Sequence, residues 1–254
     1  MKAFHRVNVQ MAHNSTSSKK MASERDRIVI KLSGSIFSQD LHNNSIKNYA
    51  EMLCYISKKV HPIVITGGGK IARLYINLAR TLGSDEATLD IIGIEVSRLN
   101  ARLLIAALND LAYSQVPTDL ENVAIAVQSG KIVVVGGLHP GQSTNATSAL
   151  IAEKIRASKF LNATDVDGIY DSDPNTNKNA KLFKEVTIEQ CMKILQSGSS
   201  MAGTYDLMDI IALKVIERSN ISTRVLRSDV ANIKNAINGK HFIGTEIATV
   251  RKQF

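Results

Sequence analysis

A short apolar strand that breaks into small, flexible residues recurs along this chain. That pattern restricts the possible folds more than any other feature. Its first instance is Arg27 to Ser35. Ile28, Val29 and Ile30 suit a buried strand, Lys31 is the first charge after them, and Ser33, Gly34 and Ser35 stop the strand. Turn N–H groups and an ammonium at a strand end are able to face one anion. Taken alone, the stretch is better explained as an ordinary turn beside a surface lysine, because glycine turns are common.

Three further instances change that balance. Pro62 to Thr66 is a buried strand that runs into Gly67-Gly68-Gly69-Lys70, and helical spacing resumes with Ile71, Leu74, Tyr75 and Leu78. Strand, glycine turn and helix aim free N–H groups and a helix dipole at a phosphate. A Walker A loop is excluded there, because its glycine-lysine spacing is missing. Ile132 to Val135 enters Gly136-Gly137-Leu138-His139-Pro140-Gly141-Gln142-Ser143-Thr144. Gly136 and Gly141 have P-loop spacing, but Gln142 occupies the lysine position, so this is a third glycine turn, suited to an anion or a sugar. His139, beside a proline, reads as structural. Lys159 to Ala163 ends in the acidic turn Thr164 to Pro174, which holds four aspartates in nine residues. The order of an EF-hand and its closing glutamate are absent, so calcium is discounted.

Between these units, residues 44–60 have helical spacing. Leu89 to Ala112 reads as one long helix, apolar on more than one face, buried either within the subunit or against a second subunit. Val123 to Val127 reads as a strand. Helices are expected from Ala146 to Ala157, after a Thr187–Gln190 capping box, from Asp206 to Ser219 and from Val230 to Ile237. A loop is expected from Gly198 to Thr204 and a strand from Thr223 to Leu226. Strands alternating with helices specify an α/β fold, a mostly parallel sheet between two helical layers. Residues 1–26, polar and aperiodic, are expected to be a disordered extension. Residues 27–254 are expected to form a single domain.

Charge narrows the choice of partner. The net charge is +8, of which residues 1–20 supply +4. No dense basic cluster interleaved with aromatics follows, so a nucleic-acid surface is not expected. Cys54 and Cys191 lack the spacing of a zinc site or a disulfide framework, which fits a reducing cytosol. No apolar run is long enough for a membrane span, and no signal peptide is evident.

In order along the chain, Lys31-Leu-Ser-Gly-Ser35, Thr66-Gly-Gly-Gly-Lys-Ile-Ala-Arg73, Ile92 to Ala101, Gly136 to Thr144 and Thr164 to Pro174 resemble the amino acid kinase family, most closely its uridylate kinase branch in archaeal form. Ala202 to Asp206 and Lys214 follow the same pattern, and the match covers about residues 27 to 248. The resemblance implies a three-layer α/β sandwich and phosphoryl transfer from ATP to UMP, with an acceptor-binding N-terminal part and an ATP-binding C-terminal part. It implies that Lys31, Leu32, Ser33, Gly34, Ser35, Gly69 and Arg73 lie along the ATP phosphates, and that Thr164, Asp165, Tyr170 and Asp173 hold the adenosine end. Gly68, Asp90 and the loop Leu138, His139, Pro140, Gly141, Gln142, Ser143 and Thr144 would hold UMP, with Asp90 on the ribose. Lys31 would be catalytic, oriented by Asp165 or Asp167, with Asp165 favoured. Mg2+ would come with ATP, and no protein metal ligand is assigned. The resemblance further implies a cytoplasmic homohexamer (a trimer of dimers) inhibited by UTP. One departure is Asn145, where many relatives carry aspartate. The competing readings are a carbamate, acetylglutamate or aspartate kinase and a non-catalytic nucleotide-binding protein on the same fold.

Overall fold

Strand β1 (Arg27–Leu32) lies inside a seven-stranded sheet and pairs in parallel with β2 (His61–Thr66) on one side and β4 (Lys159–Thr164) on the other. The computed structural model describes residues 25–37, 44–172, 174, 177–196 and 207–249. Strand β3 (Val133–Val135) flanks β2, and β6 (Ser222–Arg227) flanks β4, both in parallel. Beyond β6 the direction reverses, with β7 (Gly244–Ala248) antiparallel to β6 and β5 (Glu185–Thr187) parallel to β7. The full order is β3-β2-β1-β4-β6-β7-β5.

Alternation along the strands divides the core in two. Ile28, Ile30 and Leu32 of β1 face one cluster with helices α1 (Ser45–Ile56), α3 (Glu86–Leu108) and α8 (Val230–Ile237). Val29 faces the other, with α4 (Leu120–Gln128), α5 (Thr144–Lys154), α6 (Ile188–Gln196) and α7 (Ile210–Ser219). Helix α2 (Gly69–Thr81) packs beside α3. A parallel sheet covered on both faces needs apolar residues at every strand position, which is why β1, β2 and β3 read as unbroken apolar runs. Lys31 follows Ile30 and so falls on the α5 side, as does Asn162 next to it in register on β4.

The segment 123–127, expected as a strand, is helix α4. Asp119 caps it, accepting from Asn122 N at 2.8 Å. Val123, Ala126 and Val127 have helical spacing and face the core, while Ile125 is exposed. The cap and the spacing decide the element here; the β-branched composition alone is misleading. Caps also move other boundaries. Asp85 starts α3 three residues early by accepting from Thr88 N, and Asn109 (φ +49°) ends it at Leu108, with Asn109–Leu111 forming a 3-10 turn. Ser143 starts α5 at Thr144, and Asp209 starts α7 at Ile210. The Thr187–Gln190 capping box forms in both directions, at 2.8 and 3.1 Å. Strands β5 and β7 carry too few buried positions to stand out from the sequence. The expected loop 198–204 and the first residue of the expected helix, Asp206, lie outside the described residues.

At the start of the fold, the Arg25 guanidinium donates to Gly130 O at 2.6 Å and to Ser57 O, and Asp26 O accepts from His61 N. No helix among the described residues is long and apolar enough to cross a membrane.

The two cysteines differ in surroundings. Cys191 is buried in the α6 core face, and burial pushes its thiol up to about 12. At pH 8 Cys191 stays in its unreactive thiol form. Alkylation of the native chain with iodoacetamide, followed by mass spectrometry, is therefore expected to label the half-buried Cys54 first. Cys191 reacting first would contradict this packing.

Candidate active site

The strand order converges the four turns. β3, β2, β1 and β4 are adjacent and parallel, so the turns after Val135, Thr66, Leu32 and Thr164 leave the same edge of the sheet. The connection leaving β1 runs to α1 on one face and on to β2, while the one leaving β4 runs to α6 and α7 on the other face and on to β6. Such a switch point leaves a crevice at the carboxyl ends of the strands. A cleft of about 330 Å3 occupies this place.

Its floor and walls include residues from all four turns. Lys31, Ser33, Gly34 and Ser35 come from the first, and Gly68, Gly69 and Arg73 from the second. His139, Gln142 and Thr144 come from the third, Thr164 and Asp165 from the fourth, and Asp90 joins them from α3. Leu32 does not line the cleft; it is a core residue facing α1. Leu138 is likewise buried, in the α5 core face. Gly141 and Ser143 line a neighbouring cavity of about 490 Å3 that shares Asp90 and Gln142 with the cleft and reaches α7. Pro140 lines neither cavity. Tyr170 sits outside the cleft, its hydroxyl donating to Asp167 Oδ2 at 3.2 Å. Burial, followed by the nearby Asp167 charge, raises the Tyr170 hydroxyl above its ordinary range. Asp173 lies outside the described residues.

Glycine allows the first two turns to touch. A Cβ on Gly34 would lie 2.2 Å from Gly69 N, and one on Gly69 would lie 2.3 Å from Gly34 O. Gly69 also has φ +65°, which disfavours other residues. The first and fourth turns are joined by Ser35 Oγ donating to Asp165 Oδ1 at 2.7 Å. Asp165 and Asp167 thereby part company. Asp165 stays in the cleft, while the Asp167 carboxylate pairs with Arg227 at 2.5 Å.

Helix α3 holds the other turns, through Asp90 and through Ser97 and Asn100, to which sequence reasoning assigned no role. Asn100 Nδ2 donates to Gly67 O at 2.8 Å. Thr66 Oγ1 donates to Ser97 O at 2.9 Å, and Ser97 Oγ accepts from Gly137 N at 2.7 Å. Asp90 Oδ2 accepts from Gly141 N at 2.7 Å. Side chains spaced along one helix that each grip backbone leave no periodic apolar signal to find in a sequence.

The electrostatics favour an anion. Lys31 is only 8% exposed, an unusual state for an ammonium. Helix α2 starts at Gly69 with no side-chain cap and no acid in its first turn, with Lys70 in that turn and Arg73 just beyond it. Cations at a helix N-terminus oppose its dipole, by about 0.3–1 kcal/mol each at low ionic strength. Their presence concentrates positive potential and uncapped N–H groups on one spot. Fully buried Asn162 donates from Nδ2 to Asn145 Oδ1 at 3.2 Å and also to Leu207 O, so Asn145 is part of a neutral buried pair. Gln142 Oε1 is buried without a protein partner, an acceptor suited to a ligand donor. Among the described residues, no three or more His, Cys, Asp or Glu side chains group as a metal site.

The contact between the first two turns gives a direct test. Gly34→Ala forces them apart by about 1 Å, a displacement that costs about 100-fold in rate at a preorganised site. The variant is expected to keep its circular dichroism spectrum and lose about that much turnover. Wild-type turnover would show that the contact is dispensable.

Comparison with known proteins places this geometry. The model of the amino acid kinase family matches residues 26–227. The uridylate kinase of Methanobrevibacter smithii is 41% identical over 222 residues, covering 87% of this chain and 98% of that protein. That of Sulfurisphaera tokodaii is 42% identical over 216 residues, covering 84% and 96%. The crystal structure of uridylate kinase from Archaeoglobus fulgidus superposes with a TM-score of 0.78 at 38% identity, covering 87% of this chain and 99% of that one.

Proposed function

Since the chain belongs to the amino acid kinase family, we infer that it transfers the γ-phosphoryl group of ATP to UMP, giving UDP and ADP. The observation that carries this reading is near-complete coverage of uridylate kinases at 41–42% identity. The cleft's composition supports it. It offers a buried ammonium, an uncapped helix start and glycine turns, which suit two phosphorylated ligands.

The chemistry asks little more of the protein. A nucleotide phosphate has a second pKa of about 6, so UMP arrives mostly as the dianionic nucleophile and needs no general base. The remaining work is to align two polyanions and to stabilise charge on the transferring group. Lys31 is assigned to that charge, with the Gly34 and Gly69 turns and Arg73 along the ATP phosphates. Asp165, held by Ser35, is assigned to orienting this donor side, and Thr164, Tyr170 and Asp173 to the adenosine end. Gly68, Asp90 and the turn 138–144 are assigned to UMP. Magnesium is assigned to the ATP phosphates, where it supplies charge neutralisation.

The wider reading has the same origin. We place the chain in pyrimidine nucleotide synthesis in the cytoplasm, as a homohexamer of three dimers subject to UTP inhibition. Ile91, Leu99 and Leu103 of α3 and Leu74, Tyr75 and Leu78 of α2 are exposed apolar residues, which suits self-association. Light scattering is expected to report six subunits; a monomer would overturn this part.

A phosphoryl-transfer assay over UMP, CMP, carbamate, acetylglutamate and aspartate tests the activity. UMP is expected to be turned over, and its failure would sink the assignment. Lys31→Ala is expected to lower turnover by about 100-fold or more, the scale of losing one preorganised charge. Unchanged turnover would remove Lys31 from the mechanism.

A further inference from the structure

We propose that Arg98, on α3, is a positioning residue that turns two backbone N–H groups of the acceptor loop, those of Leu138 and His139, into the cleft. The proposal deepens the assignment of the 138–144 turn to UMP and rests on it.

Arg98 sits where the chain leaves β3. A Cβ on Gly136 would lie 2.7 Å from Arg98 N and 2.8 Å from Arg98 Cα, so the loop passes directly against α3 at this residue. The guanidinium spends its donors on backbone carbonyls. Nε donates to Gly137 O at 3.1 Å, and Nη2 to Leu138 O at 3.3 Å. Nη2 also reaches Thr118 O at 3.4 Å, in the connection between α3 and α4. Nη1 pairs with the exposed Glu95 carboxylate at 3.3 Å. A planar fork with five donors suits such a set of divergent carbonyls; an ammonium does not.

Peptide geometry converts this grip into a binding surface. There are no cis peptide bonds among the described residues. In a trans peptide the C=O and the following N–H point in opposite directions. The Gly137 and Leu138 carbonyls face Arg98, so the Leu138 and His139 N–H groups face away from it. Gly137 and His139, on either side of Leu138, line the cleft, and Arg98 does not. The side away from Arg98 is therefore the cleft side. Gly137 N–H is already taken, donating to Ser97 Oγ at 2.7 Å, which anchors the start of the loop on α3. Two adjacent donors fixed in this way suit an oxygen of the acceptor nucleotide. Arg98 reaches it only through the loop and makes no contact with the ligand.

Isothermal titration of the full chain with UMP, and separately with a non-hydrolysable ATP analogue, tests this. Arg98→Ala is expected to weaken UMP binding by about tenfold or more, and Arg98→Lys by nearly as much, since one ammonium cannot hold two carbonyls. Both are expected to bind the ATP analogue within twofold of wild type. In turnover, KM for UMP rises while kcat at saturating UMP stays within about threefold. Glu95→Gln, which removes only a surface ion pair, is expected to leave UMP binding within twofold. Unchanged UMP affinity in both Arg98 variants overturns the proposal. So does an equal loss of ATP-analogue binding, which would mark Arg98 as a general support of the fold. A wild-type chain that fails to bind UMP would instead overturn the acceptor assignment, and this proposal with it.

Discussion

Backbone contact between Gly34 and Gly69 is the constraint on which the rest of the site depends. Two turns that leave neighbouring parallel strands are normally kept apart by their side chains. Here the absence of Cβ atoms lets Gly34 lie against Gly69 itself. That contact closes the floor between the Lys31 strand and the start of α2, so one anion is able to meet the ammonium and the uncapped helix together. The other links extend this floor. Ser35 draws in the acidic turn through Asp165, while α3 grips the second turn through Asn100 and draws in the third through Ser97 and Asp90. The result is preorganisation. Dipoles and charge are placed by the fold before a ligand arrives, which is where electrostatic catalysis gains most.

The architecture was legible because a doubly covered parallel sheet writes itself into the sequence. The strands Ile28–Ile30, Ile63–Ile65 and Val133–Val135 have no polar face to disguise them, and each runs into glycine. The turns that carry the site were legible for the same reason. The errors have a shared cause. Residues 123–127 are rich in alanine, valine and isoleucine, which fit either element, and the deciding cap, Asp119, precedes the apolar run. Strands β5 and β7 depend on partners far away in the chain, and local pattern carries no trace of such pairing.

Within the site, residues reached from backbone turns were easier to find than residues acting from α3. Asp90 stood out only through the family resemblance, and Ser97, Arg98 and Asn100 lay inside a quoted motif without any assigned role. Their work is to bond carbonyls and N–H groups of other segments, which no spacing rule describes. Leu32 and Leu138 show the opposite case. They sit in turns that the resemblance assigns to ligands, yet their side chains belong to the two core faces. Asn145 belongs with Asn162 in a neutral buried pair. Asn162 is the register neighbour of Lys31 on β4, so this pair brings no charge beside that strand position.

The ends of the sheet bear on how the molecule behaves in a crowded solution. A long, flat border strand offers unpaired N–H and C=O groups to any passing chain. Both border strands here, β3 and β5, are only three residues long. The β3 end is further guarded by the bridge between Ala112 and Ile132. At the far end, the reversal at β7 and β5 breaks the run of parallel strands. A sheet built to gather four turns at one edge is thus kept from growing sideways into fibrils. Its apolar strands stay committed to the interior.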